Sequence, residues 1–350
     1  MQTNSSSRFL LYCRPGFERD CAEEALRHAP RGKVVEAVES SGFVRLQGIH
    51  SLDYAALIFA RQVIRELGSV DELPDRDRLT PILAALPAQP ERFGTLWLET
   101  PDTNAGKELS GFSRRFAPLL ETALKSAGRL EDADRLPRLH LFFPDRQRVV
   151  VGTSQPGKSA DWPMGILRQK MPPEAPSRST LKLAEAFEVL LGHDQTRLLR
   201  AGMTAVDLGA APGGWTWQLV RRGIKVYAID NGPMKGAVLG HPLVEHLRVD
   251  GFRFRPRRSV DWLVCDMVER PQRVAALMAD WLINGTAQHA IFNLKLPMKK
   301  RTETVYAALA DLRRQLDSAG VRYRLNARQL YHDREEITVY LGRSGGGRKK

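Results

Sequence analysis

A glycine-rich turn between a predicted strand and a predicted helix is the strongest chemical signal in the sequence. Within VDLGAAPGGWTWQLV, at 206–220, the strand ends at Leu208, three glycines bracket a tight turn, and the helix begins near Trp215. Glycines let the backbone approach a ligand closely, and ligands of open α/β sheets bind beyond the carboxyl ends of the strands. The spacing G-x-x-x-G-G is neither the dinucleotide fingerprint nor a P-loop, which disfavours a dinucleotide or nucleoside triphosphate site.

Four aspartates end four successive predicted strands. Asp207 belongs to the strand before the glycine turn, and Asp230, Asp250 and Asp266 end the next three. We expect them to line one edge of the sheet, with Asp230 accepting hydrogen bonds from ribose hydroxyls and Asp250 facing an adenine amine. An edge this acidic repels a pyrophosphate and favours a positively charged cofactor without phosphate. S-adenosyl-L-methionine has these properties.

Two lysines add a second kind of signal. Lys182 follows SRST at the start of a predicted helix, where its charge opposes the helix dipole. Lys295 ends the predicted strand AIFNLK, at the same edge as the aspartates. Either lysine alone would be interpreted as a solvated surface charge, so the pair becomes informative only within a larger pattern.

That pattern consists of short motifs across residues 177–341. They are S-R-x-x-x-K-L at 177–183, D-L-G-x-x-P-G-G-W at 207–215, the Asp of VCDM, the Lys of FNLKLP, and a Glu that opens the final predicted strand. Together they resemble the heat-shock-type ribose 2′-O-methyltransferases of ribosomal RNA. The resemblance implies a catalytic tetrad of Lys182, Asp266, Lys295 and Glu336, with Glu335 as the alternative to Glu336. It implies cofactor contacts from Ser179, Ala211, Pro212, Gly213, Gly214, Asp230, Asp250 and Asp266.

Nearly the whole chain resembles one branch of these enzymes, the family of ribosomal RNA large subunit methyltransferase M. The segments that carry this likeness include LLYCRPGFE, LIFARQ, DNGPM and ARQLYHDREE. The resemblance implies methylation of a cytidine ribose 2′-hydroxyl in 23S rRNA, at position 2498, with S-adenosyl-L-methionine as the methyl donor. It also implies an N-terminal region, ferredoxin-like plus THUMP-type, that docks RNA.

The implied chemistry is an in-line displacement that needs a base and close alignment but no metal. We predict Lys295 as the general base. A lysine accepts a proton only when it is neutral; burial and nearby positive charge lower its pKa, and nearby carboxylates raise it. In the tetrad, Lys182 would depress the pKa of Lys295 and the two carboxylates would orient both amines. The sequence leaves the net direction of the shift open.

The predicted elements that position these residues form an α/β, Rossmann-like methyltransferase domain. Seven strands begin at about residue 204, with helices at 213–222, 271–283 and 303–319, which predicts a mostly parallel sheet whose last strand is antiparallel. A further helix is predicted from about residue 180, with Ser179 or Thr180 as its cap.

The preceding region is predicted to be α+β. Its predicted strands lie at 8–13, 33–38, 43–47, 94–100, 138–143 and 147–153, with helices after residue 16, at 77–86 and at 105–127. We therefore predict four segments: 1–160 as an α+β RNA-docking region, 161–180 as a linker, 181–342 as the methyltransferase domain, and 343–350 as a flexible basic tail.

The charge distribution favours a nucleic-acid partner. The 350 residues carry a net charge of +13, and residues 161–350 hold 31 Lys/Arg against 19 Asp/Glu, whereas residues 1–160 hold 22 against 21. Two basic clusters are predicted to contact RNA phosphates: Arg253, Arg255, Arg257 and Arg258, and Lys299, Lys300 and Arg301. No apolar run is long enough for a membrane span, and three cysteines are too few for a disulfide framework or a zinc site. We expect a cytoplasmic protein without a metal.

Two other classes of function stay open. The first is a methyltransferase that acts on another RNA site, a base, a protein or a small molecule. Met-Val-Glu follows Asp266 where an amine methyltransferase usually has a Pro-Pro-aromatic loop, and Cys265 is predicted to be a core residue rather than a nucleophile. The second is a non-catalytic RNA-binding protein with a relic cofactor fold, against which the intact tetrad argues.

Overall fold

The computed structural model describes residues 7–88 and 91–344 and divides into two units, Met1–Ile166 and Leu167–Lys350. The division falls inside the segment predicted as a linker. Residues 345–350, which make up most of the predicted basic tail, lie outside the described residues. Within the described ranges, no helix is both long and apolar enough to cross a bilayer.

The first unit is built on one seven-stranded sheet with the order β2-β3-β1-β4-β7-β6-β5. Its strands are β1 Phe9–Tyr12, β2 Lys33–Glu36, β3 Phe43–Gln47, β4 Gln62–Val70, β5 Thr95–Glu99, β6 Arg138–Phe142 and β7 Val149–Ser154, and its helices are α1 Glu18–His28, α2 Leu79–Ala84, α3 Asn104–Glu108 and α4 Ser110–Ser126. All neighbours are antiparallel except β5 and β6. The strands predicted at 33–38 and 43–47 are confirmed as β2 and β3, and they pair as an antiparallel hairpin.

Strand β4 was not predicted, and it joins the two halves of this sheet by pairing with β1 on one side and β7 on the other. Its sequence QVIRELGSV lacks the regular alternation of apolar and polar residues that predicts a strand. Only its first three residues are buried. The single helix predicted at 105–127 is two helices, α3 and α4, separated at Leu109.

Buried carboxylates hold the loops of this unit. Glu18 accepts backbone hydrogen bonds from Gly16, Ser40 and Gly42, the last at 2.7 Å. Glu24 accepts two more from the backbone of residues 58 and 59. Buried polar groups are stable only when paired, and here the α1 side chains supply the acceptors that the irregular backbone needs.

The second unit is a seven-stranded sheet with the order β10-β9-β8-β11-β12-β14-β13. Its strands are β8 Thr204–Leu208, β9 Lys225–Ile229, β10 Val244–Leu247, β11 Val260–Cys265, β12 Ala287–Lys295, β13 Tyr323–Arg328 and β14 Glu336–Arg343, and its helices are α5 Thr180–Ala186, α6 Gln195–Leu198, α7 Gly214–Val220, α8 Pro271–Ile283 and α9 Arg301–Ser318. A π-helical turn, Phe187–Leu191, continues α5.

The pairing confirms the predicted Rossmann-like arrangement. Strands β8 to β12 pair in parallel, and β14 is antiparallel to both β12 and β13. The central strands are almost fully buried, as expected for a sheet that is covered on both faces. The carboxyl ends of the parallel strands and the first residue of β14 therefore meet at one edge of the sheet.

Candidate active site

Four side chains from four elements converge at this edge. Lys295 ends β12 and donates a hydrogen bond of 2.6 Å to Oδ1 of Asp266, the residue directly after β11. Lys182, in the first turn of α5, lies 3.4 Å from Asp266 Oδ2. Both ammonium groups also contact the carboxylate of Glu336, the first residue of β14. The structure therefore brings the predicted tetrad together as two lysines and two carboxylates in mutual contact.

The geometry distinguishes the two neighbouring glutamates. The side chain of Glu336 is 5% exposed and contacts both lysines. The side chain of Glu335 is 59% exposed and pairs with Arg301 at 3.0 Å, outside the tetrad. Glu336 is the first residue of β14 and lies opposite Lys295 in the pair with β12, whereas Glu335 lies just before the strand.

The environment of Lys295 has opposing effects on its pKa. Burial lowers the pKa, but the charges of Asp266 and Glu336 and the hydrogen bonds to both carboxylates outweigh burial, so the pKa is raised above its ordinary 10.5. The direction that the sequence left open is therefore upward. Lys295 is an ammonium group at neutral pH in the substrate-free site.

A buried chain of polar side chains supports Asp266, and the sequence analysis missed it. Asn293 donates to Asp266 Oδ1 at 3.0 Å, and Thr338 donates to Asn293 Oδ1 at 2.9 Å. Asp333 Oδ1 lies 3.1 Å from the Thr338 hydroxyl. That hydroxyl also lies 2.9 Å from Asp333 Oδ2, and its one proton serves only one acceptor at a time unless Asp333 is itself protonated and donates. Burial and the charge of Glu336 raise the pKa of Asp333 well above its ordinary value, which favours this neutral form.

The signal for this chain was present in the strand period. Asn293 precedes Lys295 by two residues, and Thr338 follows Glu336 by two, so each pair shares a strand face. In the β12–β14 register, Lys295 pairs with Glu336 and Asn293 pairs with Thr338. Two tetrad residues therefore form one cross-strand pair on this face, and the residues that support Asp266 form the next pair on the same face.

The loop between β13 and β14 is fixed to α5 by a buried carboxylate. Glu185, whose side chain is 3% exposed, accepts backbone hydrogen bonds from Tyr331 at 2.8 Å and His332 at 2.9 Å. It also lies 2.7 Å from His332 Nδ1. Because Glu185 is one turn after Lys182, the same helix positions one tetrad lysine and the loop that leads into Glu336.

The glycine turn packs tightly against the start of α5. Gly213 has φ +115°, in the left-handed region that favours glycine. A Cβ at Gly214 would lie 2.3 Å from Ser179 Oγ and 2.5 Å from Ser177 Oγ. Close packing against these serines therefore explains Gly214, in addition to the ligand approach that the sequence predicted.

The predicted cap of α5 is wrong. The Ser179 side chain forms no capping hydrogen bond and instead shares one with Ser177 Oγ at 2.7 Å. The Thr180 hydroxyl accepts from Gln218 of α7 at 2.9 Å. Both hydroxyls join α5 to the glycine turn and its helix, which holds Ser179 beside the predicted cofactor loop.

Asp230 is held where the sequence predicted a carboxylate for ribose. One oxygen accepts the backbone N–H of Ala211 at 3.0 Å, and the other accepts that of Gly232 at 2.7 Å. Each oxygen retains capacity for a second hydrogen bond. Pro212 and Gly213 follow Ala211 in the same turn, so Asp230 and the glycine turn form one continuous surface.

Two aspartates depart from the predicted acidic edge. Asp250 lies three residues beyond the end of β10, is about half-exposed and accepts from Phe252 at 2.8 Å. Asp207 lies inside β8, is 1% exposed and accepts from Thr216 at 2.7 Å. Burial, with smaller contributions from Asp266 and Asp230, raises the pKa of Asp207 to about 7. The edge is therefore less acidic than four ionised aspartates would make it.

Comparison with known proteins identifies the family. Three family models match: the ferredoxin-like domain of RlmM over residues 6–64, the N-terminal region of ribosomal RNA large subunit methyltransferase M over 77–155, and the FtsJ-like methyltransferase over 175–298. The protein of that name from Laribacter hongkongensis is 58% identical, covering 98% of this chain and 99% of its own. The protein of the same name from Methylococcus capsulatus is 50% identical, and the match covers 96% of this chain and 98% of that protein. The chain belongs to the ribosomal RNA large subunit methyltransferase M family.

The cofactor of this methyltransferase fold is S-adenosyl-L-methionine, and the residues present fit it. Asp230 offers acceptors to ribose hydroxyls beside the glycine turn, and Ser179 packs against that turn at Gly214. No cluster of three or more His, Cys, Asp or Glu suited to a metal ion occurs in the part of the chain that the structure describes.

Proposed function

We propose that this chain methylates the ribose 2′-hydroxyl of a cytidine in 23S rRNA, acting in the cytoplasm. The observation that carries the proposal is the four-way contact of Lys182, Asp266, Lys295 and Glu336 at the carboxyl edge of the sheet. The matched family and the names of its members support ribosomal RNA as the substrate. The ribose 2′-position and the cytidine rest on the tetrad and on the resemblance.

We propose a role for every residue of the tetrad. S-adenosyl-L-methionine supplies the methyl group as an electrophilic sulfonium. The 2′-oxygen forms the bond to the methyl carbon as the carbon–sulfur bond breaks, and the hydroxyl proton passes to Lys295. Asp266 and Glu336 hold both amines in place, and Lys182 orients the ribose.

The raised pKa of Lys295 shapes this proposal. An ammonium cannot accept a proton, so Lys295 must lose its own proton before it acts as base. Only a small fraction of the substrate-free enzyme carries neutral Lys295 at pH 7. Activity should therefore rise with pH well into the alkaline range.

Basic side chains beside the tetrad are proposed to hold the RNA backbone. Lys299 and Lys300 follow β12 and are exposed, as are Arg257 and Arg258 after β10. Arg255, also in the predicted cluster, already pairs with Asp280 at 2.7 Å. Lys300 also lies 3.9 Å from Glu303, so Lys299, Arg257 and Arg258 are the stronger candidates for phosphate contacts.

The structure disfavours a C5 base methyltransferase. Such an enzyme needs a thiolate nucleophile, but Cys265 is fully buried in β11. Burial raises the pKa of this thiol to about 12, which keeps it protonated. The contacts within the tetrad likewise support catalysis over a purely RNA-binding role.

The deciding experiment maps methyl groups on rRNA from a strain that lacks this protein. We expect one 2′-O-methyl mark to disappear from 23S rRNA and to return with the wild-type gene. Because a 2′-O-methyl group removes the nucleophile of alkaline cleavage, that site should also become cleavable by alkali in the deletion strain. An unchanged map, or loss of a methyl group that does not protect against alkali, would reject the proposal.

A further inference from the structure

A cavity between the start of α5 and the loop that leads into β14 plays no part in the chemistry described above. Its volume is about 410 Å³, within the usual range of roughly 300–1,000 Å³ for small-molecule sites. Among its lining residues are Arg168, Gln169, Arg178, Leu181, Tyr331 and His332. All of them belong to the second unit.

The cavity and the tetrad both take residues from helix α5 and from the segment around the start of β14. Leu181 directly precedes Lys182 on α5, and Tyr331 and His332 belong to the loop that leads into Glu336. Glu185 binds the backbone of that loop to α5. Residues that neighbour Lys182 and Glu336 along the chain therefore line the cavity.

The lining suits a nucleotide. The guanidinium of Arg168 lies over the ring of Tyr331, 5.9 Å from its centroid, and Tyr331 meets His332 edge-to-face at 5.2 Å. Arg178 adds a second exposed positive charge. Aromatic faces stack on the bases of single-stranded RNA, and arginines bind phosphate, so the combination is typical of RNA recognition.

One polar atom in the wall supports this interpretation. The amide oxygen of Gln169 is buried and has no hydrogen-bond partner among the residues that the structure describes. Buried acceptors are normally satisfied, and the amino group of a nucleobase is a suitable donor. An acceptor, two aromatic rings and two guanidinium groups thus line one cavity.

We propose that this cavity is a subsite for a nucleotide adjacent to the methylated one, with its base stacked on Tyr331 and its phosphate bound by Arg168 and Arg178. The inference rests on the proposed RNA substrate. The subsite binds the strand and does not take part in methyl transfer, so its loss should affect RNA binding and leave cofactor binding intact.

Three variants and a control test the subsite. Tyr331→Ala removes the ring but keeps the backbone N–H that Glu185 binds, Tyr331→Phe keeps the ring, and Arg178→Ala removes one charge. Arg313→Ala, at an exposed position of α9 that does not line the cavity, is the matched charge control. The probe is 23S rRNA from a strain that lacks the enzyme, assayed by steady-state methyl transfer and by fluorescence anisotropy.

We expect Tyr331→Ala to raise KM for the RNA about ten-fold, with calorimetric affinity for S-adenosyl-L-methionine unchanged. Tyr331→Phe should stay within about two-fold of wild type because stacking is retained. Arg178→Ala should weaken RNA binding and reduce the slope of log affinity against log salt by about one, whereas Arg313→Ala should not. Unchanged cofactor affinity also shows that each variant is folded.

The inference is overturned if Tyr331→Ala and Arg178→Ala bind RNA as Arg313→Ala does. It is also overturned if Tyr331→Phe is as defective as Tyr331→Ala, because the ring would then not be the binding element. If the proposed function is wrong, the experiment gives a different result: the wild-type enzyme would bind the RNA without methylating its ribose. Anisotropy would still report in that case whether the cavity binds RNA.

Discussion

Lys295 and Glu336 lie directly opposite each other in the antiparallel pair of β12 and β14. One residue ends its strand and the other begins its strand, so a cross-strand pair places both side chains at the edge where the parallel strands also end. Asp266 reaches Lys295 from the neighbouring β11. The pairing of the strands therefore positions the candidate base against the two carboxylates, and no mobile loop is needed for this contact.

Replacing Lys295 by Arg tests the base. Arginine keeps the charge and much of the reach, but it stays protonated and cannot accept the proton. We expect single-turnover methylation to fall by about 10²–10⁴-fold, the usual scale for acid–base catalysis, with cofactor affinity preserved. The wild-type rate should rise with pH toward and beyond pH 10, because the pKa of Lys295 is raised above 10.5. Near wild-type rates in Lys295→Arg, or a flat wild-type profile above pH 7, would move the role to Lys182 or to positioning alone.

The two adjacent glutamates form a matched pair of variants. Glu336→Gln removes a buried charge that helps raise the pKa of Lys295, so the rising limb of the pH–rate profile should move to lower pH. The rate at saturation should also fall, by about ten-fold or more, because Lys182 and Lys295 lose a shared anchor. Glu335→Gln, which changes an exposed side chain paired with Arg301, should leave the profile in place. Equal effects from both substitutions would contradict the assignment of Glu336.

Asn293 is expected to act as a positioning residue. Asn293→Ala removes the donor to Asp266 and one acceptor of the Thr338 hydroxyl. We expect kcat to fall about ten-fold while KM for RNA and cofactor affinity stay within about two-fold, since the contacts that bind substrate are intact. Thr338→Ser keeps the hydroxyl and should preserve most activity. A rise in KM with unchanged kcat would place Asn293 in substrate binding.

Asp230 is expected to bind the cofactor. Its removal deletes a charged acceptor, and hydrogen bonds to charged groups contribute about 1.5–3 kcal/mol, so Asp230→Ala should weaken affinity for S-adenosyl-L-methionine about ten-fold or more. Asp311→Ala is the control, because Asp311 is a partly exposed aspartate of α9 that pairs with Arg314 of the same helix. Titration calorimetry measures both. Identical affinities in the two variants would reject the role.

Asp207 should make stability depend on pH. Its pKa of about 7 in the folded protein exceeds the ordinary 3.8, so the folded state holds a proton that the unfolded state has lost between about pH 4 and pH 7. The contribution of Asp207 to the free energy of unfolding therefore falls as the pH rises from about 4 to about 7. Asp207→Asn keeps an acceptor for Thr216 and has no proton to lose, so its stability relative to wild type should increase from pH 5 to pH 8, by a few kcal/mol at most. Urea denaturation at both pH values measures the difference, and a constant difference would contradict the raised pKa.

The sequence by itself determined the elements and the types of residue at their ends. Alternation of strands and helices after residue 204 predicted the sheet, and the motifs predicted Lys182, Asp266 and Lys295, because local periodicity and short motifs are written in consecutive residues. Strand β4 escaped prediction since its pairing with β1 and β7, rather than its own sequence, stabilises it.

Only the tertiary structure decided which charges face one another. The β12–β14 register selected Glu336 over Glu335, and the contacts of Lys295 with two carboxylates set the direction of its pKa. Burial turned Asp207 from a member of an acidic edge into a core carboxyl, and packing revealed the chain from Asn293 to Asp333. These outcomes depend on long-range distances and on exclusion of water, which no local pattern in the sequence specifies.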